Sequence, residues 1–205
     1  MRHRGHRYIS TRQYEKAIVD FEKASTLIQG TPNQIEEDGI PNAQNTPISS
    51  LHGNIYYHLA LSYYLKRDLV NAARIYKKRI STHQNDDNIV SAAHWHYMTQ
   101  RRLGEEEKAV EVLSEVKKDM DVIENMHYHK ICLFYKGLIT EEDLPLVDSN
   151  GKVNEVFLYG LGNWYLYEKN DTVKAKSLFK SLLDDGSKAS FAYLAAEADM
   201  ASFKN

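Results

Sequence analysis

The sequence is poor in the residues on which disulfide frameworks, turn-rich folds and membrane spans depend. Its 205 residues include a single cysteine, Cys132, which excludes an intramolecular disulfide framework. Ten glycines and four prolines are too few for an all-β sandwich, which needs a turn after every strand. No run approaches the roughly 18 consecutive apolar residues of a bilayer-spanning helix, so we expect no integral membrane segment.

Charge is nearly balanced along this chain. Lys and Arg total 26 and Asp and Glu total 28, a net charge of −2, which argues against a basic nucleic-acid-binding protein. The hydrophobic share of 42% and the charged share of 26% are ordinary for a folded domain and argue against wholesale disorder. The basic segment Met1–Arg7 is therefore interpreted as a solvated helix end, and no nucleic-acid partner is expected.

Four segments of the sequence resemble one another. Each contains an alanine followed four positions later by a large apolar residue, and positions i and i+4 lie on one face of a helix. Such a pair lets a neighbouring helix approach closely and then packs a bulky side chain against it. The pairs are Ala17 with Phe21, Ala72 with Tyr76, Ala109 with Leu113, and Ala175 with Phe179.

The spacing of these alanines indicates a repeat. Ala72 and Ala109 are 37 residues apart, and Ala109 and Ala175 are 66 apart, close to two units of about 33. The 55 residues between Ala17 and Ala72 are one unit of about 34 plus an insertion of about 21. The insertion is assigned to residues 29–50, and a second irregular stretch, 140–153, replaces a helix in a degenerate unit.

A more aromatic helix precedes the last three of these segments. Tyr56, Leu59, Ala60 and Tyr63 stand at i, i+3, i+4 and i+7, the stripe of an amphipathic helix. The stripe recurs at residues 93–100 with polar members, His96 and Gln100. Few residues separate the two helices of each pair, which predicts helical hairpins. Residues 187–203 form a further amphipathic segment, a candidate capping helix for the end of the array.

With these features the chain resembles the tetratricopeptide (TPR) repeat family. The residues that carry the resemblance are Tyr56, Leu59, Ala60, Tyr63, Ala72 and Tyr76, Gly5, Tyr8, Ala17, Phe21 and Ala24, and Leu103, Gly104, Ala109 and Leu113. The resemblance implies an all-α fold, a right-handed superhelix of about four helical hairpins plus a C-terminal capping helix. One repeat domain would then span residues 1–205.

The resemblance also implies a function. Members of this family bind a segment of a partner protein in a concave groove, so we expect a non-enzymatic scaffold for a protein or peptide partner. Carried onto this sequence, the groove-facing positions are Tyr57, Tyr64, His94, Met98, Arg101, His129, Lys136, Trp164 and Tyr167. Aromatic and arginine side chains supply much of the binding energy in protein interfaces.

Two alternatives remain open. In one, the protein is a metal- or metabolite-binding sensor or enzyme that uses the groove histidines His94 and His129, although no third metal ligand is evident. In the other, the protein is a self-associating module that forms a homodimer through its uncapped N-terminal end. No catalytic residue, metal or cofactor is predicted, because Cys132 is at a packing position and no nucleophile elbow or phosphate loop is present.

The C-terminal third is similar to the end of bacterial TPR adaptor lipoproteins, which serve envelope hydrolases and proteases. The segment that carries this similarity runs from Tyr159 to Leu166 and leads into Ala175 and Phe179. The similarity implies a bacterial protein and an envelope or periplasmic location if the chain is truncated at its N-terminus. As the sequence stands, its basic start is not followed by an apolar stretch, and a cytoplasmic location is expected.

Overall fold

A computed structural model of the chain describes residues 1–36, 42, 44–80, 82 and 85–203. These residues form ten α-helices and one small antiparallel sheet, so the predicted all-α class is confirmed. None of the described helices is both long and apolar enough to cross a membrane. The elements are α1 (Arg2–Ser10), α2 (Tyr14–Leu27), β1 (Ile35–Glu36), β2 (Ser49–Ser50), α3 (Leu51–Leu65), α4 (Leu69–Ile80), α5 (Asp86–Arg102), α6 (Glu106–Val112), α7 (Met126–Tyr135), α8 (Glu155–Tyr167), α9 (Thr172–Asp185) and α10 (Phe191–Ser202).

Consecutive helices pack in pairs, α1 on α2, α3 on α4, α5 on α6 and α8 on α9. A turn of one type follows the first helix of each pair and also follows α7. It holds one residue in the left-handed region, with φ between 55° and 76°, and the next N–H bonds back to a carbonyl five or six residues earlier. This geometry satisfies the free carbonyls at a helix C-terminus. The left-handed residues are Arg12, Arg67, Gly104, Gly137 and Asn170.

These turns give the repeat a backbone register. The four alanines noted in the sequence each stand five residues after a left-handed residue, and 33 residues separate Gly104 from Gly137 and Gly137 from Asn170. Between Gly137 and the start of α8 no α-helix forms, and these residues are all described. The chain forms only a 3₁₀ turn at Glu141–Asp143 and a bridge between Val147 and Val153. The degenerate unit therefore keeps the turn of the repeat at Gly137, and the stretch 140–153 lacks the second α-helix.

One hydrophobic core runs through the helices from α1 to α10. All eight residues of the four alanine and large-residue pairs are buried in it. The closest approach is between α8 and α9, where a Cβ on Gly162 would lie 2.4 Å from Cε1 of Phe179. Because this glycine has no side chain, the ring of Phe179 packs directly against the backbone of α8.

The insertion packs against the N-terminal ends of α3 and α5. Strand β1 pairs with β2, with Ile35 opposite Ser50. The buried Ile48 offers its carbonyl to the side-chain amides of Asn85 and Asn88, at 3.0 and 2.7 Å. Residues 37–41 and 43 of the predicted loop 29–50 lie outside the described residues.

Helix α10 makes more contacts than a terminal cap needs. It packs on α8 and α9, as a cap would, and also on α3. It reaches the first helical pair, because Arg12 Nε lies 2.9 Å from a carboxylate oxygen of Glu197. The last helix therefore joins the beginning of the chain to its end, which the prediction of a simple cover for the last pair did not include.

Candidate functional site

A buried polar network fixes α10 in place. Asp199 accepts hydrogen bonds from Arg67 at 3.1 Å, from Arg102 at 2.8 Å and from the Tyr159 hydroxyl at 2.8 Å. The side chains of Arg102 and Asp199 are only 2% and 3% exposed. The Arg102 guanidinium also lies over the ring of Tyr64, 4.7 Å from its centroid. A buried carboxylate that is paired in this way holds its helix firmly, because leaving either charge without its partner is costly.

Four residues predicted to face an open groove are buried, so the groove prediction is wrong for them. They are Tyr64, His94, Met98 and His129. The reason is that α5 packs against α3, α7 and α8, that α7 packs against α8, and that α10 covers part of α3 and α8. A residue that directly follows a packing residue on these helices therefore also contacts protein rather than solvent.

The two histidines of the alternative site have separate partners. His94 is enclosed by the rings of Trp95, Tyr128 and Tyr135, and burial lowers its pKa to about 3, so the ring is neutral at pH 7. His129 Nε2 lies 2.7 Å from the carbonyl oxygen of Lys117. Within the described residues, no three His, Cys, Asp or Glu side chains come together as ligands of one metal ion. A metal site built on this pair therefore lacks a third ligand among the described residues.

The other five predicted groove residues are half-buried, and each of them already has a partner within the chain. Arg101 forms an ion pair with Glu168, with a closest distance of 2.6 Å, and Lys136 donates to the Val116 carbonyl oxygen at 2.6 Å. Tyr57 lies against Phe191 at the start of α10. Trp164 and Tyr167, on the last turns of α8, complete this set.

Trp164 belongs to a surface that we call the aromatic edge, formed by Phe134, Trp164, Tyr165 and Lys169. The ring of Trp164 meets Phe134 edge to face at 5.0 Å and Tyr165 at 5.1 Å. Lys169 Nζ lies 4.7 Å from the Trp164 ring centroid. The three rings are each half-buried, so they keep apolar area in contact with solvent beside a cation. Amphipathic rings in such a setting are suited to holding a peptide.

A cleft on another part of the molecule was missed by the sequence analysis. It has a volume of about 420 Å³ and lies between α4, α5 and α6, with His96 and Gln100 of α5 in its lining. Helix α6 ends at Val112, whereas α4 continues for two turns past its own alanine, to Ile80. The signal that could have found the cleft is the polar pair on the α5 stripe, where apolar residues were expected.

Two further expectations concern reactive and self-associating surfaces. Cys132 is buried, and burial raises the pKa of its thiol, which keeps it protonated and unreactive at neutral pH.

The exposed positions of α1 are the polar residues His3, Arg4, His6 and Arg7. The apolar face on which the homodimer alternative was based is therefore not found on the described α1.

Comparison with protein-family models, with curated proteins and with solved structures gave no match to this chain. Its function must therefore be argued from its own surfaces, because a fold class alone does not imply a function. The aromatic edge and the cleft are two accessible sites among the described residues.

Proposed function

We propose that the protein is a non-enzymatic scaffold, a TPR-like array of helical hairpins, that binds a segment of a partner protein at its aromatic edge. The single observation that carries this proposal is the edge-to-face pair of Trp164 and Phe134, two rings that each keep part of their surface exposed. The five equivalent turns support the repeat architecture. The proposed binding surface is therefore smaller than the predicted groove, and of the groove residues it keeps Trp164.

The chemistry of the edge suits an extended segment with apolar side chains. Aromatic faces bind proline-rich and other extended peptides, and a ring such as Trp164 loses little conformational entropy when it does so. Lys169 adds a cation beside the rings, which favours a segment that also carries a carboxylate. Glu168, which pairs with Arg101 of α5, directly follows α8 and precedes Lys169 in the chain.

The proposal is tested by comparing partner recovery for two matched variants. Trp164→Ala removes the central ring of the edge. Tyr8→Ala is the control, because Tyr8 is also half-buried and has a cation, Lys16, 5.7 Å from its ring centroid. Both variants and the wild type would be used to capture proteins from cells of the source organism, followed by direct binding measurements with the recovered protein.

We expect Trp164→Ala to weaken the interaction by about 30-fold, the effect of losing a central interface aromatic of about 2 kcal/mol. Tyr8→Ala should retain wild-type affinity. Equal affinity of the wild type and Trp164→Ala, with both proteins folded by circular dichroism, would show that the aromatic edge is not the binding surface.

A further inference from the structure

The floor of the cleft between α4, α5 and α6 holds two polar side chains that are only half satisfied. His96 and Gln100 are each 7% exposed, and their Nε2 atoms lie 2.9 Å apart, one helical turn from each other. In the described part of the chain, no other hydrogen bond reaches either side chain. The remaining polar atom of each group is not sealed off from solvent, so it is available to a molecule inside the cleft.

The pair presents one donor and one acceptor whichever way the amide is oriented. If Gln100 donates to His96, the imidazole carries its proton on Nδ1 and the amide oxygen is left free to accept. If the amide is reversed, His96 donates, its Nδ1 accepts, and the amide nitrogen is left to donate. Burial, together with Lys77, lowers the pKa of His96 to about 4, so the ring is neutral at pH 7 in both cases.

The rest of the cleft is apolar inside and mixed in charge at its rim. Small and aliphatic side chains from all three helices form the walls, among them Ala73, Ala93 and Val112. The ring of His96 is stacked on Tyr76 at 5.7 Å, which fixes the imidazole plane. Basic and acidic side chains both border the opening, so the rim does not select one sign of charge. The volume of about 420 Å³ is in the range of small-ligand sites.

We propose that this cleft binds a small neutral molecule that presents an amide edge on an apolar ring, such as an aromatic carboxamide or a lactam. The carbonyl of the amide accepts from the pair of His96 and Gln100, its N–H donates to the same pair, and the ring lies against the aliphatic walls. An analogue without both groups leaves a buried polar atom unpaired, which strongly disfavours its binding. The inference is independent of the proposed partner surface, which lies on other helices.

The test is a titration of the full chain with benzamide, followed by ¹⁵N NMR of the side-chain amides. Benzoate and toluene are the matched comparison ligands, because one lacks the N–H donor and the other lacks both polar groups. Gln100→Leu removes the polar floor while retaining its size. Gln13→Leu is the control variant, since Gln13 stands in the turn after α1 and bonds only to its local neighbours there.

We expect benzamide to shift the Gln100 side-chain amide in a saturable way and to bind at least tenfold more tightly than benzoate or toluene. Gln100→Leu should lose at least tenfold in affinity, and Gln13→Leu should bind as the wild type does. Tighter binding of N-acetylglutamine methylamide than of benzamide would also overturn the proposal, because that ligand has amide groups but no apolar ring. Equal binding of toluene and benzamide, unchanged affinity in Gln100→Leu, or no saturable shift would overturn the proposal.

Discussion

The buried network around Asp199, which is the seat of α10, and the cleft between α4, α5 and α6 both contain polar side chains below the surface. They differ in how those side chains are hydrogen-bonded. At the seat, the Asp199 carboxylate accepts from two arginines and a tyrosine. In the cleft, His96 and Gln100 bond to each other and retain a free donor and a free acceptor. This network is closed at the carboxylate, although Arg102 Nε has no partner among the described residues, and it indicates a structural role. Polar groups that keep a free donor and a free acceptor beside a cavity indicate a ligand.

The largest effect is expected when the closed network is broken. Asp199→Ala removes the carboxylate and leaves the Arg102 guanidinium buried with no anion beside it. Removing one partner of a buried ion pair costs about 3–5 kcal/mol, because the remaining charge has no solvent. The free energy of unfolding, measured by urea denaturation and circular dichroism, should fall by that amount. A loss below about 1 kcal/mol would mean that Arg102 finds solvent when α10 is altered.

A second prediction concerns the pH dependence of the buried histidines. Burial lowers the pKa of both His58 and His94 to about 3, so each is neutral in the folded protein at pH 5. In the unfolded chain a histidine titrates near 6.5, so unfolding at pH 5 takes up a proton at each site. The free energy of unfolding should therefore fall as pH falls from 6.5 towards 3, by about 1.4 kcal/mol per pH unit for each of these groups.

This prediction is checked by repeating urea denaturation between pH 7.5 and 4.5 for the wild type and for His94→Phe. The variant lacks one titrating group, so its slope should be shallower by about one proton. The comparison is between slopes, so a change in absolute stability caused by the larger ring does not affect it. Identical slopes would show that His94 is protonated in the folded protein or becomes exposed before global unfolding.

The helices and their packing residues could be predicted from the sequence, because they depend on local spacing. The alanine and large-residue pairs, such as Ala72 with Tyr76, are buried as the four-residue spacing indicated. The place of α10 could not be predicted, because it rests on a contact between Arg102 and Asp199, 97 residues apart. Ala201, within the predicted amphipathic segment 187–203, is exposed.

The candidate site was predicted only in part, and for a related reason. Trp164 keeps accessible area, as expected of a groove residue, because α8 ends close to it. Tyr64 and Met98 do not, since the helices that carry them are enclosed by their neighbours. Whether the face of a helix is open depends on what the rest of the chain places over it. The spacing of residues on that helix carries no such information, which is also why the short α6 and its cleft were missed.

The smallest effect is expected two residues before the buried carboxylate, at Glu197. This residue also pairs with an arginine, Arg12, at 2.9 Å, but its side chain is 43% exposed. Water solvates both charges when the pair is broken, so Glu197→Ala should lower the free energy of unfolding by no more than about 0.5 kcal/mol, the value of an ordinary surface pair. Both substitutions are carboxylate to alanine on α10, so the difference between them isolates the contribution of burial. If the two variants lost equal stability, the ion pairs of α10 would be interchangeable, and the distinction between its closed network and an ordinary surface would fail.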